Sequence, residues 1–184
     1  ALLHRLGLRP DSILFLGGVD LRKNEPGLIR AYARLPSALR ASHPLAIIRR
    51  GDHDKLRALA AAEGLSPDSL ILVDHVPEPD LPGLYAACAL FVFPSFHEGF
   101  GLPAAEAMAC GAPTIASNAT SLPEVIGRAD ALFDPTSPDS IAARMREVLE
   151  TPALRASLAT HGPQQAARFS WPAVAARAWA ALEH

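Results

Sequence analysis

The chain has 184 residues, 49% of them hydrophobic, which matches one α/β domain able to cover both faces of a buried sheet. Its 17 basic and 19 acidic residues leave a net charge of −2, so there is no broad positive field for holding nucleic acid or an anionic membrane, and any anion must be met locally. The two cysteines, Cys88 and Cys110, lie in apolar surroundings without CxxC spacing or histidine partners at metal-ligand intervals, and are read as buried free thiols.

At the amino end, Ala1-Leu2-Leu3-His4-Arg5 has no signal-peptide core, and no apolar run approaches the roughly 20 residues that span a bilayer. A cytoplasmic location is expected. The chain starts without an initiator Met and runs through Arg5-Leu6-Gly7-Leu8-Arg9-Pro10 straight into a strand, which suggests a piece of something longer.

Short apolar runs then alternate with amphipathic stretches, the βα pattern of a mostly parallel sheet. Strands are predicted at 13–17, 45–48, 70–73, 90–93, 114–116 and 131–133. They are continuously apolar, as strands covered on both faces should be. Helices are predicted at 25–35, 54–63, 81–87, 103–109 and 122–126, on both sides of the sheet by right-handed crossover. From Pro138 the pattern is helical only, with further helices near 153–167 and 173–182 that pack at the domain edge or reach toward a missing partner. Trp171 and Trp179 are read as packing anchors. The whole, residues 1–184, is predicted to be one doubly wound, Rossmann-like domain of about six strands.

Chemistry concentrates in the segment from Phe91 to Gly111, which reads as a strand, a glycine-containing turn and a helix. In open α/β sheets ligands bind outside the carboxyl ends of the strands, where this turn lies. Gly99 and Gly101 allow close approach of the backbone, and Pro103 starts the helix, so N–H groups around Phe100–Ala104 can face an anion such as a phosphate. Glu98 and Glu106, eight positions apart, can converge on one ligand, and a carboxylate can accept both hydroxyl protons of a ribose diol. Taken singly, each glutamate would more often be a capping or solvated group.

The complete string resembles the Glu-x7-Glu pattern of the large retaining glycosyltransferase family of GT-B fold. The resemblance extends to Leu14-Phe-Leu-Gly-Gly-Val-Asp-Leu-Arg-Lys-Asn24, to the stretch Asp74 to Ser95, to Gly111 through Gly127, and to Phe169-Ser-Trp171. It implies that this chain is the carboxyl-terminal, nucleotide-sugar-binding half of such an enzyme, with an acceptor domain absent from it. Glu106 would hold the ribose hydroxyls, Glu98 would lie beside the donor sugar and phosphates, and the amides of Phe100, Gly101 and Leu102 would contact sugar and pyrophosphate. Arg22 and Lys23 would offset the charge of the leaving diphosphate; the competing view is a solvated surface pair. Gly18 stands where many members carry the first arginine of the basic motif, which leaves open whether Arg22 replaces it. Apart from the resemblance, His75 and Val76 at the end of the third strand could line the base, and His97, next to Glu98, could touch the sugar, the competing view being a bystander among seven histidines.

The resemblance implies transfer of a mannose- or glucose-type hexose from a nucleoside diphosphate sugar to a sugar or lipid-linked acceptor. The loop around Gly18 to Asn24 looks most like members using GDP-mannose, with UDP-sugars second. No metal or other cofactor is expected. Asp52-His53-Asp54 has the Asp-x-Asp spacing of metal sites in other transferases, but it lies where an aspartate caps a helix. Partners implied are the nucleotide sugar, the acceptor and the missing domain, through which alone the longer protein would touch the inner membrane. The chain by itself is expected to bind nucleotide with little or no transfer activity. A rival from another class is a non-catalytic nucleotide-binding subunit or sensor. A Rossmann oxidoreductase is disfavoured because Gly17-Gly18-Val19-Asp20-Leu21-Arg22 lacks Gly-x-Gly-x-x-Gly. Ser121 is read as a helix N-cap; Pro26-Gly27 within a helix and Arg49-Arg50 after a strand have no explanation in the sequence.

Overall fold

The computed structural model describes residues 2–18 and 20–183, without the side chains of Trp171, Ala173 and Arg177. Six strands, β1 (Ile13–Leu16), β2 (Leu45–Ile48), β3 (Leu70–Val73), β4 (Leu90–Phe93), β5 (Thr114–Ser117) and β6 (Leu132–Phe133), form one sheet in the order β3-β2-β1-β4-β5-β6. Every pairing is parallel. A parallel sheet needs helical crossovers that cover both faces, and the apolar runs supply the matching surface: β2 and β4 are buried throughout. Phe15, Phe91 and Phe93 are fully buried, each stabilising the core by about 2–3 kcal/mol through apolar area removed from water.

The helices are α1 (Leu2–Arg5), α2 (Glu25–Ala33), α3 (Ser37–Ser42), α4 (Asp54–Ala62), α5 (Leu81–Ala87), α6 (Leu102–Ala109), α7 (Leu122–Ile126), α8 (Pro138–Glu150), α9 (Pro152–Ala166) and α10 (Trp171–Leu182). In one group α2 packs against α4 and α8; in the other α6 packs against α5, α7 and α9, the two-sided covering of a doubly wound fold. Helix α3 was not expected; its Ser-Ala-Leu-Arg-Ala-Ser run follows Pro36, which occupies the N-cap position. The chain passes from β1 outward to β3 and then returns to β4 on the other side of β1. That reversal leaves a crevice at the carboxyl ends of β1 and β4.

Three expectations change. Cys88 and Cys110 are free thiols but half-buried, and Cys88 Sγ donates to the Tyr85 carbonyl at 3.2 Å. Trp179 does not anchor packing: it is 66% exposed and donates Nε1–H to Glu183 at 2.7 Å. The Trp171 side chain lies outside the described residues. Ser121 occupies the N-cap position of α7 without capping it, because its hydroxyl is used elsewhere, as described below. No helix among the described residues is long and apolar enough to cross a membrane.

Candidate functional site

Two turns meet at the crevice. The first, from Gly17 to Asn24, leaves β1 and closes with a short helical turn at Leu21–Lys23. Asp20 caps that turn by accepting from the Arg22 N–H at 2.9 Å, and takes the Arg22 guanidinium on its other oxygen at 2.8 and 2.5 Å. These bonds hold the Asp20 carboxyl down at about 2, so it carries its charge at neutral pH. Arg22 is therefore turned outward, its side chain 62% exposed. Lys23 points the other way: its Nζ donates to Glu98 Oε1 at 2.8 Å and sits 4.9 Å from the Phe93 ring centroid, at only 23% side-chain exposure. Of the two basic residues, the structure brings Lys23 to the β4 turn and leaves Arg22 at its rim.

The second turn carries the predicted site from Ser95 to Gly101 into α6. Gly101 adopts φ +101°, and a Cβ there would meet Leu122 Cδ2 at 2.6 Å, so both backbone and space require glycine. A Cβ at Gly99 would meet nothing, so that position is open rather than constrained. The Ala104 N–H bonds to the Gly101 carbonyl at 3.0 Å and is removed from the expected donor set; the N–H groups of Phe100, Gly101 and Leu102 donate to no protein atom among the described residues. Such donors at a helix start suit an anion.

The two glutamates have different partners. Glu98 takes Lys23, whereas Glu106, exposed on α6, accepts from the Tyr85 hydroxyl at 3.0 Å. His97 is exposed on the same turn. His75 and Val76 lie across the crevice, in a groove of about 390 Å³ lined also by Gly17, Gly18, Arg49 and Arg50. Val76 is buried, while His75 is exposed with its Nδ1 3.3 Å from Arg50 Nη2.

The bracing of both turns was not legible beforehand. Asn24, buried at φ +55°, donates its amide to the Pro94 carbonyl at 3.1 Å and the Pro135 carbonyl at 2.8 Å. A Cβ on Gly27 would strike that side chain at 2.3 Å, which explains Gly27, and Pro26 falls in the first turn of α2, where its missing N–H costs little. The Phe96 N–H donates to the Arg22 carbonyl at 2.8 Å, tying the turns together. Thr120 accepts from the Glu98 N–H at 3.1 Å, and Ser121 donates to the carbonyls of Glu98 and Phe100 at 3.1 and 3.0 Å. Phe100 packs edge-on against Phe169 at 5.2 Å.

Beneath the first turn, Glu25 accepts from the Gly18 N–H at 3.1 Å and lies 3.4 Å from Arg49 Nε, which accounts for Arg49. Burial holds the Glu25 carboxyl above its ordinary range, with Gly18 and Arg49 opposing. The Gly18 N–H is thus spent on Glu25. The N-cap position of α4 is His53, without a side-chain cap bond, so neither aspartate is the cap expected; Asp52, one residue earlier, accepts from the Asp54 N–H at 2.8 Å. No group of three or more potential metal ligands occurs among the described residues.

The six-stranded parallel sheet with helices on both faces defines an α/β domain of the doubly wound, Rossmann-like class, with unpartnered N–H groups and a lysine at its switch point. The chain belongs to the glycosyl transferases group 1 family, whose pattern it matches over residues 4–165. It is 42% identical over 174 residues to the serotype-specific mannosyltransferase WbdA of Escherichia coli, covering 93% of this chain and 21% of that protein. It therefore spans about a fifth of that relative's length. Among solved structures it is similar to sucrose-phosphate synthase from Thermosynechococcus elongatus, with TM-score 0.83 and 27% identity over 99% of this chain and 47% of that one. It also shares its fold with Anabaena HepE in complex with UDP-glucose, with TM-score 0.77 and 23% identity over 91% of this chain and 47% of that one.

Proposed function

We propose that this chain is the nucleotide-sugar donor region of a retaining hexosyltransferase, and that the hexose is mannose carried on GDP. The observation that carries the reading is the convergence of the Lys23–Glu98 pair with the unpartnered N–H groups of Phe100, Gly101 and Leu102 at the β1/β4 switch point. The diphosphate sits at the head of α6, where those N–H groups and Lys23 meet the charge that grows as the bond between the sugar C1 and the phosphate oxygen breaks. Binding of the diphosphate draws Lys23 away from Glu98, which then accepts from hydroxyls of the sugar. Glu106 accepts from the ribose diol. The base lies in the groove by His75 and Val76, with His97 on the sugar side. Arg22 reaches the diphosphate only by leaving Asp20. Charge is met by Lys23, Arg22 and backbone donors, so no metal is required.

The mannosyltransferase relative supports mannose, and a neighbour solved with UDP-glucose supports a nucleoside diphosphate sugar. The coverage of about half of the solved chains supports a longer protein, in which an amino-terminal acceptor domain closes the cleft and brings a sugar or lipid-linked sugar to the cytoplasmic face of the inner membrane. The test is calorimetric titration of the chain with GDP, UDP, ADP and NAD, with and without EDTA, repeated on Glu106→Ala and Lys23→Ala. Tight binding of GDP alone, unaffected by EDTA and weakened at least about tenfold in each variant, is the expected result, each variant losing a charge-assisted contact. Preference for NAD, or loss of binding in EDTA, would sink the reading.

A further inference from the structure

Tyr85 is fully enclosed, at 1% exposure, with its ring edge-on to Phe91 at 5.4 Å, so its hydroxyl has almost no freedom of position. A buried phenol needs an acceptor, and here the acceptor is an exposed carboxylate on a different helix: Glu106 Oε2, 3.0 Å away. Burial, and then the neighbouring Glu106 charge, push the Tyr85 hydroxyl well above the ordinary tyrosine range, so it is a donor at neutral pH. A glutamate on a helix surface otherwise samples several rotamers, and a ligand that needs one of them must bear the cost of selecting it.

We propose that Tyr85 is a positioning residue for the ligand: its hydroxyl holds the plane of the Glu106 carboxylate so that the remaining lone pairs, on both oxygens, are presented to the cis-diol of a ribose. The inference rests on the donor-site reading above and adds the device that sets the geometry of its ribose contact. A carboxylate has about four lone-pair positions; Tyr85 uses one and leaves enough for two hydroxyl donors. The alternative is that the hydroxyl merely satisfies itself and stabilises the packing of α5 on α6.

The two are separated by comparing GDP with 2′,3′-dideoxy-GDP, which has no diol, on the wild-type chain, Tyr85→Phe, Glu106→Ala and the double variant. Tyr85→Phe keeps the ring and its packing, and circular dichroism checks that the fold is retained. The expected result is that Tyr85→Phe weakens GDP about five- to tenfold, part of the worth of one charge-assisted bond, and leaves the dideoxy ligand unchanged. In the double variant the loss equals that of Glu106→Ala alone, because the two act through one contact. Unchanged GDP affinity in Tyr85→Phe, equal weakening of both ligands, or additive losses in the double variant overturns the inference while GDP binding itself stands. Failure of the wild-type chain to bind any nucleoside diphosphate overturns the donor-site reading and this inference with it.

Discussion

The two turns flanking the switch point are held by different means. The turn from Ser95 to Gly101 is braced from outside, by Thr120 and Ser121 from the β5–α7 loop, by Phe169 beyond α9, and by Leu122 closing over Gly101. The turn from Gly17 to Asn24 is held largely by carboxylates within or next to it, its own Asp20 on Arg22 and Glu25 at the start of α2 on Gly18, with Asn24 reaching across to the β4 side. The first arrangement gives backbone donors a fixed geometry. The second offers charge that can move, and Lys23 is where the two meet.

The sharpest way to break the comparison is at Gly101. Gly101→Ala combines a positive φ with a 2.6 Å contact to Leu122 and should destabilise the chain by about 2–4 kcal/mol, read as a lower urea midpoint at unchanged slope. Asn24→Ala removes the donor to two carbonyls and cuts the link between the turns; a loss of about 2 kcal/mol is expected by the same measurement. Lys23→Ala leaves Glu98 half-buried without its counter-charge and should cost about 1–2 kcal/mol, whereas Arg22→Ala, at an exposed pair screened by solvent, should leave the urea midpoint unchanged. Equal effects of the two would remove the distinction drawn between them.

The smallest effect concerns pH. Because Glu25 is held above its ordinary value of 4.5 when folded, its contribution to stability is complete below that value and is lost as pH rises through the folded one. Glu25→Gln does not titrate, so its stability relative to the wild type should rise across that window. Denaturant titrations from pH 4 upward would check it, and a difference that falls with rising pH would show that Arg49 and Gly18 outweigh burial.

Much of this architecture was legible in advance because a buried parallel strand is a continuous apolar run: 45–48, 70–73 and 90–93 were delimited as the structure has them. Helix ends were legible where proline and glycine punctuate them. Glu98, Glu106 and the glycine turn stood out because polar and glycine residues interrupt an apolar pattern. Tyr85 is not legible as a site residue: inside Leu84-Tyr85-Ala86-Ala87 it looks like core, although a buried hydroxyl requires a partner. Asn24 and Thr120 were equally hidden, since their partners lie far along the chain.

Local periodicity and turn chemistry therefore specify the order and type of elements, the position of the crevice and the residue types at its mouth. Which of two adjacent basic residues faces the crevice, which N–H groups are left to a ligand, and which side chain orients Glu106 were decided only by the tertiary structure. Those outcomes depend on hydrogen bonds between elements separated by up to 111 positions, and no local pattern encodes which partner a polar group will find once the sheet has brought the strand ends together.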